Sequence, residues 1–291
     1  MRLTRAAESR HYRATFVAPL FVAMTALSGC AVLSPSQSLK ARTRIADAQT
    51  LNREAHRLTA SLAERGRQLT SMQTGAVMEY SVPGDRAKVR EEIAVQKPDS
   101  LRVDAMSPFG VALIMTARGG EADIFDAEHN RFMRGAASAA TLDRYVRIPM
   151  APADAVALLM GLAPGDFALN QPPLTVSDEG AMIVAAYGSA GAELRQLGFS
   201  DGNLAMVREI GADGRIRFEV RYRDYRDIGG LMFPYVVEAS FPPAQSRITL
   251  RYNRPLINGN LPASRFVLTP EKGATIMNLG GAVTDISNAQ G

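Results

Sequence analysis

The chain has 291 residues, 46% of them hydrophobic, with no Trp and one Cys, and its 33 basic against 29 acidic side chains give a formal charge of +4. Four arginines and one glutamate fall in residues 1–29, so the remainder is close to +1, and a chain this near neutrality is expected to show no basic stripe and no nucleic-acid footprint. A single cysteine rules out a disulfide within the chain, so the roughly 260 residues after position 29 must be held by packing, for which they suffice as one large domain or two small ones.

At the amino terminus, Arg2, Arg5, Arg10 and Arg13 precede an apolar stretch from Ala14 to Leu27 that ends in Leu27, Ser28, Gly29 and Cys30. Positive region, apolar region and small residues, in that order, are the signature of a secretory signal. The stretch falls short of the roughly 20 residues a membrane-spanning helix needs, and Pro19 interrupts it, so residues 1–29 are expected to be removed. The tetrapeptide resembles the lipobox of bacterial lipoproteins. That resemblance implies a diacylglyceryl thioether on Cys30 and a domain tethered beside a membrane, since two or more acyl chains hold a protein stably where one does not. Ala31 follows the cysteine where an aspartate signals inner-membrane retention in the best-known sorting rule, so the resemblance points to the periplasmic face of the outer membrane.

Residues 30–37, with Ser34, Pro35 and Ser36, read as a lipidated cysteine and short tether. From 38 to 70 the pattern is helical and amphipathic, with Ile45, Ala48, Ala55, Leu58 and Leu62 sharing a face. Such a face packs on the domain's own sheet or, as the lesser reading, pairs with a second chain as a coiled coil.

From Ser71 the period falls to 2: Met72, Thr74, Ala76, Met78 and Tyr80 share one face of a first strand, and Ala87, Val89, Glu91, Ile93 and Val95 one face of a second. Further strands are expected at Leu101–Met106, Val111–Arg118, Ala122–Asp126 and Arg131–Arg134. Two short helices then intervene. Ser138 suits the cap of the first, Pro152 the first turn of the second, and Gly161 its end. Strands resume near Ala181–Tyr187, Glu193–Phe199 and Leu204–Ile210. The cleanest alternation follows, Ile216, Phe218, Val220 and Tyr222 against Arg215, Arg217, Glu219, Arg221 and Arg223. Phe233–Phe241, Ser246–Tyr252 and a last strand around Arg265–Thr269 complete the series, and 281–291 reads as a disordered tail. The fold class expected is mainly β with a helical lid (α+β): an open, strongly curved antiparallel sheet, a half-barrel over 71–280, covered by helices. A parallel sheet would require helices between most strands, and they are absent.

Little here suits catalysis. His56 lies on a charged helix face and His129 in a hairpin turn; no thiol is left after Cys30 is consumed. There is no phosphate-binding glycine loop, serine elbow or paired-histidine metal motif, so neither an enzyme nor a cofactor is expected. Glu91 and Glu92 are adjacent in a strand and point to opposite faces, and Asp178 with Glu179 sits in a turn before Gly180. What remains is Ser107, Pro108, Phe109 and Gly110, a tight connection with an aromatic at its apex that either folds back onto the sheet or stands out from it.

From Leu101 to Ala168 the chain resembles the LolB family of outer-membrane lipoprotein receptors, relatives of the periplasmic carrier LolA. The family shows a strand, an Asn-Pro-Leu-Gly turn, a further strand, a hairpin, and a helix ending in Leu-Gly-Leu-Pro-Gly-Asp. The corresponding residues here are Ser107, Pro108, Phe109 and Gly110, then Met160, Gly161, Leu162, Ala163, Pro164, Gly165 and Asp166. Outside that window the resemblance is one of pattern. It implies a half-open barrel whose concave apolar face accepts acyl chains of other lipoproteins beneath a helical lid. Val156, Leu159, Met160, Leu162, Met115, Met78 and Phe218 are the lid and wall positions, and Pro108, Phe109 and Gly110 form a membrane-contacting loop. Met106 joins these methionines as a flexible side chain able to repack around variable lipid, although such residues also simply fill cores. One aromatic in lipid is worth roughly 2–3 kcal/mol against about 12 for an acyl chain, so Phe109 would touch the bilayer and not anchor the protein. The partners implied are acyl chains, a LolA-like carrier and outer-membrane lipid, with the protein monomeric. The other readings are an envelope-assembly scaffold that transfers nothing and a sensor of mislocalised lipoproteins.

Overall fold

Leu, Ala, Glu and Arg in helical spacing form α1 (Ala48–Gln68), with Ala55 and Leu58 buried, Leu62 packed against the core, and pairs such as Arg57–Glu54 on the wet side. The computed structural model describes residues 48–165, 174–176, 182–187 and 193–279, all within one compact unit, Ala41–Gly291. The expected leader, Cys30, the tether, the start of the amphipathic helix, Asp178 with Glu179, and the tail lie outside the described residues.

After α1 come β1 (Ser71–Val82), β2 (Asp85–Gln96), β3 (Ser100–Ser107), β4 (Gly110–Arg118), β5 (Glu121–Asp126) and β6 (Arg131–Ala136). Next are α2 (Ala139–Val146) and α3 (Pro152–Leu159). β7 (Leu174–Val176), β8 (Met182–Tyr187), β9 (Glu193–Ser200), β10 (Asn203–Ile210), β11 (Ile216–Ile228), β12 (Leu231–Phe241), β13 (Ser246–Ile257) and β14 (Thr275–Asn278) follow. Among the described residues fourteen strands make one sheet, ordered β14-β6-β5-β4-β3-β2-β1-β13-β12-β11-β10-β9-β8-β7. Neighbours are antiparallel except β14 against β6.

The sheet is open and curved, and α3 shows by how much. In sheet order β3 and β9 are seven strand spacings apart, about 34 Å if flat. Yet α3, about 12 Å long, touches β3 at one side, while Arg195 of β9 donates to the Pro164 carbonyl just past the helix. Register shifts between Gln73 and Gly75, Ala105 and Met106, and Glu209 and Ile210 are places where the ladder bends. Ser138 caps α2 by accepting from the Thr141 N–H at 3.1 Å, Pro152 occupies the first turn of α3, and Gly161 follows its last turn at φ +68.

The strand expected at Arg265–Thr269 is absent. Phe266 and Leu268 are buried and Val267 is exposed, which produces the alternation, but Ala263–Phe266 is a 3-10 turn. Two short strands, β7 and β14, had no expected counterpart.

Candidate functional site

The β3–β4 turn is tied by Ser107, whose hydroxyl accepts from the Phe109 N–H at 3.2 Å and donates to the Gly110 carbonyl at 3.0 Å. Gly110 stands at φ +126, a conformation side chains rarely adopt. The consequence is a Phe109 ring 99% exposed, with Val111 beside it 38% exposed. Of the two fates open to this aromatic, the turn geometry gives the outward one. The ring contributes no packing, although burying it would be worth roughly 2–3 kcal/mol.

The wall and lid positions come together in one cluster, except Met106, whose register with Arg90 and Val111 puts it on the opposite, outer face of the sheet. Met78 of β1, Met115 of β4, Val156 and Leu159 of α3, and Met160 and Leu162 just after it are each at most 5% exposed. Phe218 of β11 packs against this cluster half-buried, its ring 6.4 Å from that of Phe241.

Polar groups hold α3 in place. The last carbonyls of a helix have no partner within it, and here two buried tyrosines supply donors. Tyr252 of β13 donates to the Leu159 carbonyl at 2.9 Å, and Tyr222 of β11 donates to those of Leu158 and Leu162 at 3.1 and 3.3 Å. Burial pushes both phenols well above their ordinary range, so they remain donors at any physiological pH. At the other end, Asp154 lies near the Glu209–Arg195 pair, which closes at 3.0 Å. Burial, then Glu209, raises the Asp154 carboxyl; Arg195 opposes them.

Glu91 is 6% exposed on the same face of the sheet, one strand across from Ala76 and two from Tyr252, and burial pushes its carboxyl up to about 7. Glu92 points outward, as adjacent strand residues must. Sequence reasoning separated these faces and grouped Glu91 with Ile93 and Val95, which are buried with it, but it missed Tyr222 and Tyr252 as clamps. His56 is exposed, and His129 pairs with Asp126 at 2.9 Å in the β5–β6 turn. Among the described residues no group of three or more His, Cys, Asp or Glu could hold a metal ion, and no helix is long and apolar enough to cross a membrane.

No family model matches the chain, and no curated protein sequence matches it. Among solved structures it is similar to a DUF1329 family protein from Desulfovibrio piger, with TM-score 0.50 and 10% identity over 74% of this chain and 96% of that one. It is also similar to a putative outer membrane lipoprotein-sorting protein domain from Vibrio parahaemolyticus (TM-score 0.49, 6% identity, 76% of this chain and 97% of that one). A LolA superfamily protein from Nitrosomonas europaea has TM-score 0.46 and 13% identity over 72% of this chain and 97% of that one. At such identities the likeness is one of fold.

Proposed function

We propose that this chain is a lipid-anchored periplasmic protein that holds the acyl chains of lipoproteins against its concave face and promotes their insertion into the outer membrane. The observation that carries the proposal is the pairing of an apolar inner sheet face, on which α3 packs, with an aromatic that is 99% exposed at a turn of the same sheet. In this reading α2 and α3 form the lid, and Val156, Leu159, Met160, Leu162, Met115, Met78 and Phe218 meet the hydrocarbon. Pro108, Phe109 and Gly110 touch the bilayer, and lipid on Cys30 keeps the protein there. Cargo arrives from a LolA-like carrier and leaves downhill in affinity, without bond chemistry. The LolB resemblance of residues 101–168 supports this reading.

Because the wall side chains are already buried, chains can enter only if α3 moves away from β11 and β13. The methionines and the few polar bonds at the helix ends suit such a movement. The same burial favours a second reading, in which the interior stays filled and the protein is an envelope-assembly scaffold.

The test is uptake of a fluorescent fatty acid by the purified protein, followed by displacement with an acylated lipoprotein. Saturable uptake that the lipoprotein reverses supports transfer. Absence of uptake rejects it and leaves the scaffold.

A further inference from the structure

Residues paired across antiparallel strands share a face of the sheet, so its outer face can be read directly from the register. One row runs Arg223, Val236, Arg251, Val77, Arg90, Met106 and Val111, from β11 to β4. It ends beside the Phe109 turn. A second row nearer the strand ends runs Lys88, Glu79 and Thr249, and a third Arg86, Ser81 and Arg247. On β2, β1 and β13 this end of the outer face therefore carries Arg86, Lys88, Arg90, Arg247 and Arg251, all exposed, against Glu79 alone. Glu79 is engaged by Lys88 at 2.8 Å. Arg86, Arg90 and Arg247 have no ion-pair partner among the described residues. Glu92 and Asp104 lie further along the strands, away from the turn. The expectation of no basic stripe is thus corrected: net charge near +1 averages over faces that the alternation has sorted.

An open surface pocket of about 520 Å³ lies among these side chains, with the hydroxyls of Ser81 and Thr249 beside Arg86, Lys88 and Arg247, and with the Glu79 carboxylate on its wall held by Lys88. Cations with hydroxyls between them suit phosphate oxygens. An exposed aromatic at the end of the same surface suits the hydrocarbon just beneath such phosphates, where long basic side chains reach the headgroups.

From this we infer that the outer face of β2, β1 and β13 docks on an anionic lipid surface, with headgroup phosphates at Arg86, Lys88, Arg90 and Arg247 and the Phe109 ring in the acyl boundary. The inference rests on the reading of Phe109 as a membrane contact, and it adds the partner's charge and the face presented. An acidic protein partner would fit the cations equally but would leave the neighbouring Phe109 and Val111 unexplained.

The experiment uses the chain from residue 30 onward carrying Cys30→Ser, so that neither the basic, apolar leader nor an acyl chain is present, and measures partition into phosphatidylcholine vesicles with and without phosphatidylglycerol. The protein binds the anionic vesicles at least about a hundredfold more tightly, and added salt removes the difference. Each cation near such a surface is worth about fivefold, so Arg86→Gln, Arg90→Gln and Arg247→Gln together weaken anionic binding on the order of a hundredfold. The matching triple Lys variant retains binding, and Phe109→Ala weakens binding to both vesicle types. Equal partition into neutral and anionic vesicles, or a Gln variant that binds as well as the parent, overturns the inference; an acidic protein partner predicts that second result. Fatty-acid uptake is a separate readout, so failure of the transfer reading leaves vesicle binding intact.

Discussion

Replacing Tyr222 and Tyr252 together by Phe removes the hydroxyls that hold the end of α3 and leaves the rings in place. Among the described residues the two hydroxyls are the only donors to the Leu159 and Leu162 carbonyls, which then lose them, whereas Leu158 keeps the Gly161 N–H at 3.0 Å. Two acceptors stranded in a buried setting cost about 1–2 kcal/mol each, so the closed position loses roughly 2–4 kcal/mol. That raises the open population between about thirtyfold and several hundredfold, within the 5–15 kcal/mol that holds a domain together. The assay is amide exchange. Met160, Gly161 and Leu162 donate to the Val156, Leu158 and Ala157 carbonyls, and their exchange accelerates by that factor while that of β1 and β13 does not. Fatty-acid uptake rises in parallel. A uniform acceleration across the domain, or none, would refute the reasoning, because the tyrosines would then support the core as a whole or nothing at all.

Phe109→Glu leaves the unfolding free energy unchanged within about 0.5 kcal/mol, since the ring packs on nothing, and reduces lipoprotein insertion into vesicles; unaltered insertion defeats its role. Gly161→Ala destabilises by about 2–4 kcal/mol in urea unfolding, because a Cβ at φ +68 would sit 2.7 Å from the Pro234 ring. Glu91 titrates near 7 when folded against an ordinary value of 4.5, so the folded state binds the extra proton between those limits. Its contribution is complete below about 4.5 and is lost as pH rises through 7, up to about 3 kcal/mol in all, and Glu91→Gln flattens the stability–pH curve across that window.

The long strands were legible because alternation is a local property: β1, β2 and β11 each show period 2 over many residues. The ends of α2 and α3 were legible for a similar reason, since Ser138, Pro152 and Gly161 act through their own backbone. β14 was not, because four residues gain their partner from β6, far back in the chain, and nothing local marks them. The apparent strand near Arg265 shows the converse error. There Phe266 and Leu268 bury alternate side chains without any ladder, between Pro262 and Pro270. At the candidate site, the Ser107–Gly110 turn could be located but not its outward ring, which depends on the Ser107 hydroxyl and the Gly110 dihedral. The clamps were invisible, since Tyr222 and Tyr252 meet carbonyls 64 and 93 residues away. The basic face was hidden by a net charge that counts side chains without regard to side.

The most direct test of acyl-chain capture is methionine methyl NMR of the protein titrated with a lipoprotein bearing its acyl chains, and with the same lipoprotein after deacylation. The Met78, Met115 and Met160 signals shift only with the acylated form. Interior methionines that stay fixed while exposed Met232 alone responds would contradict capture.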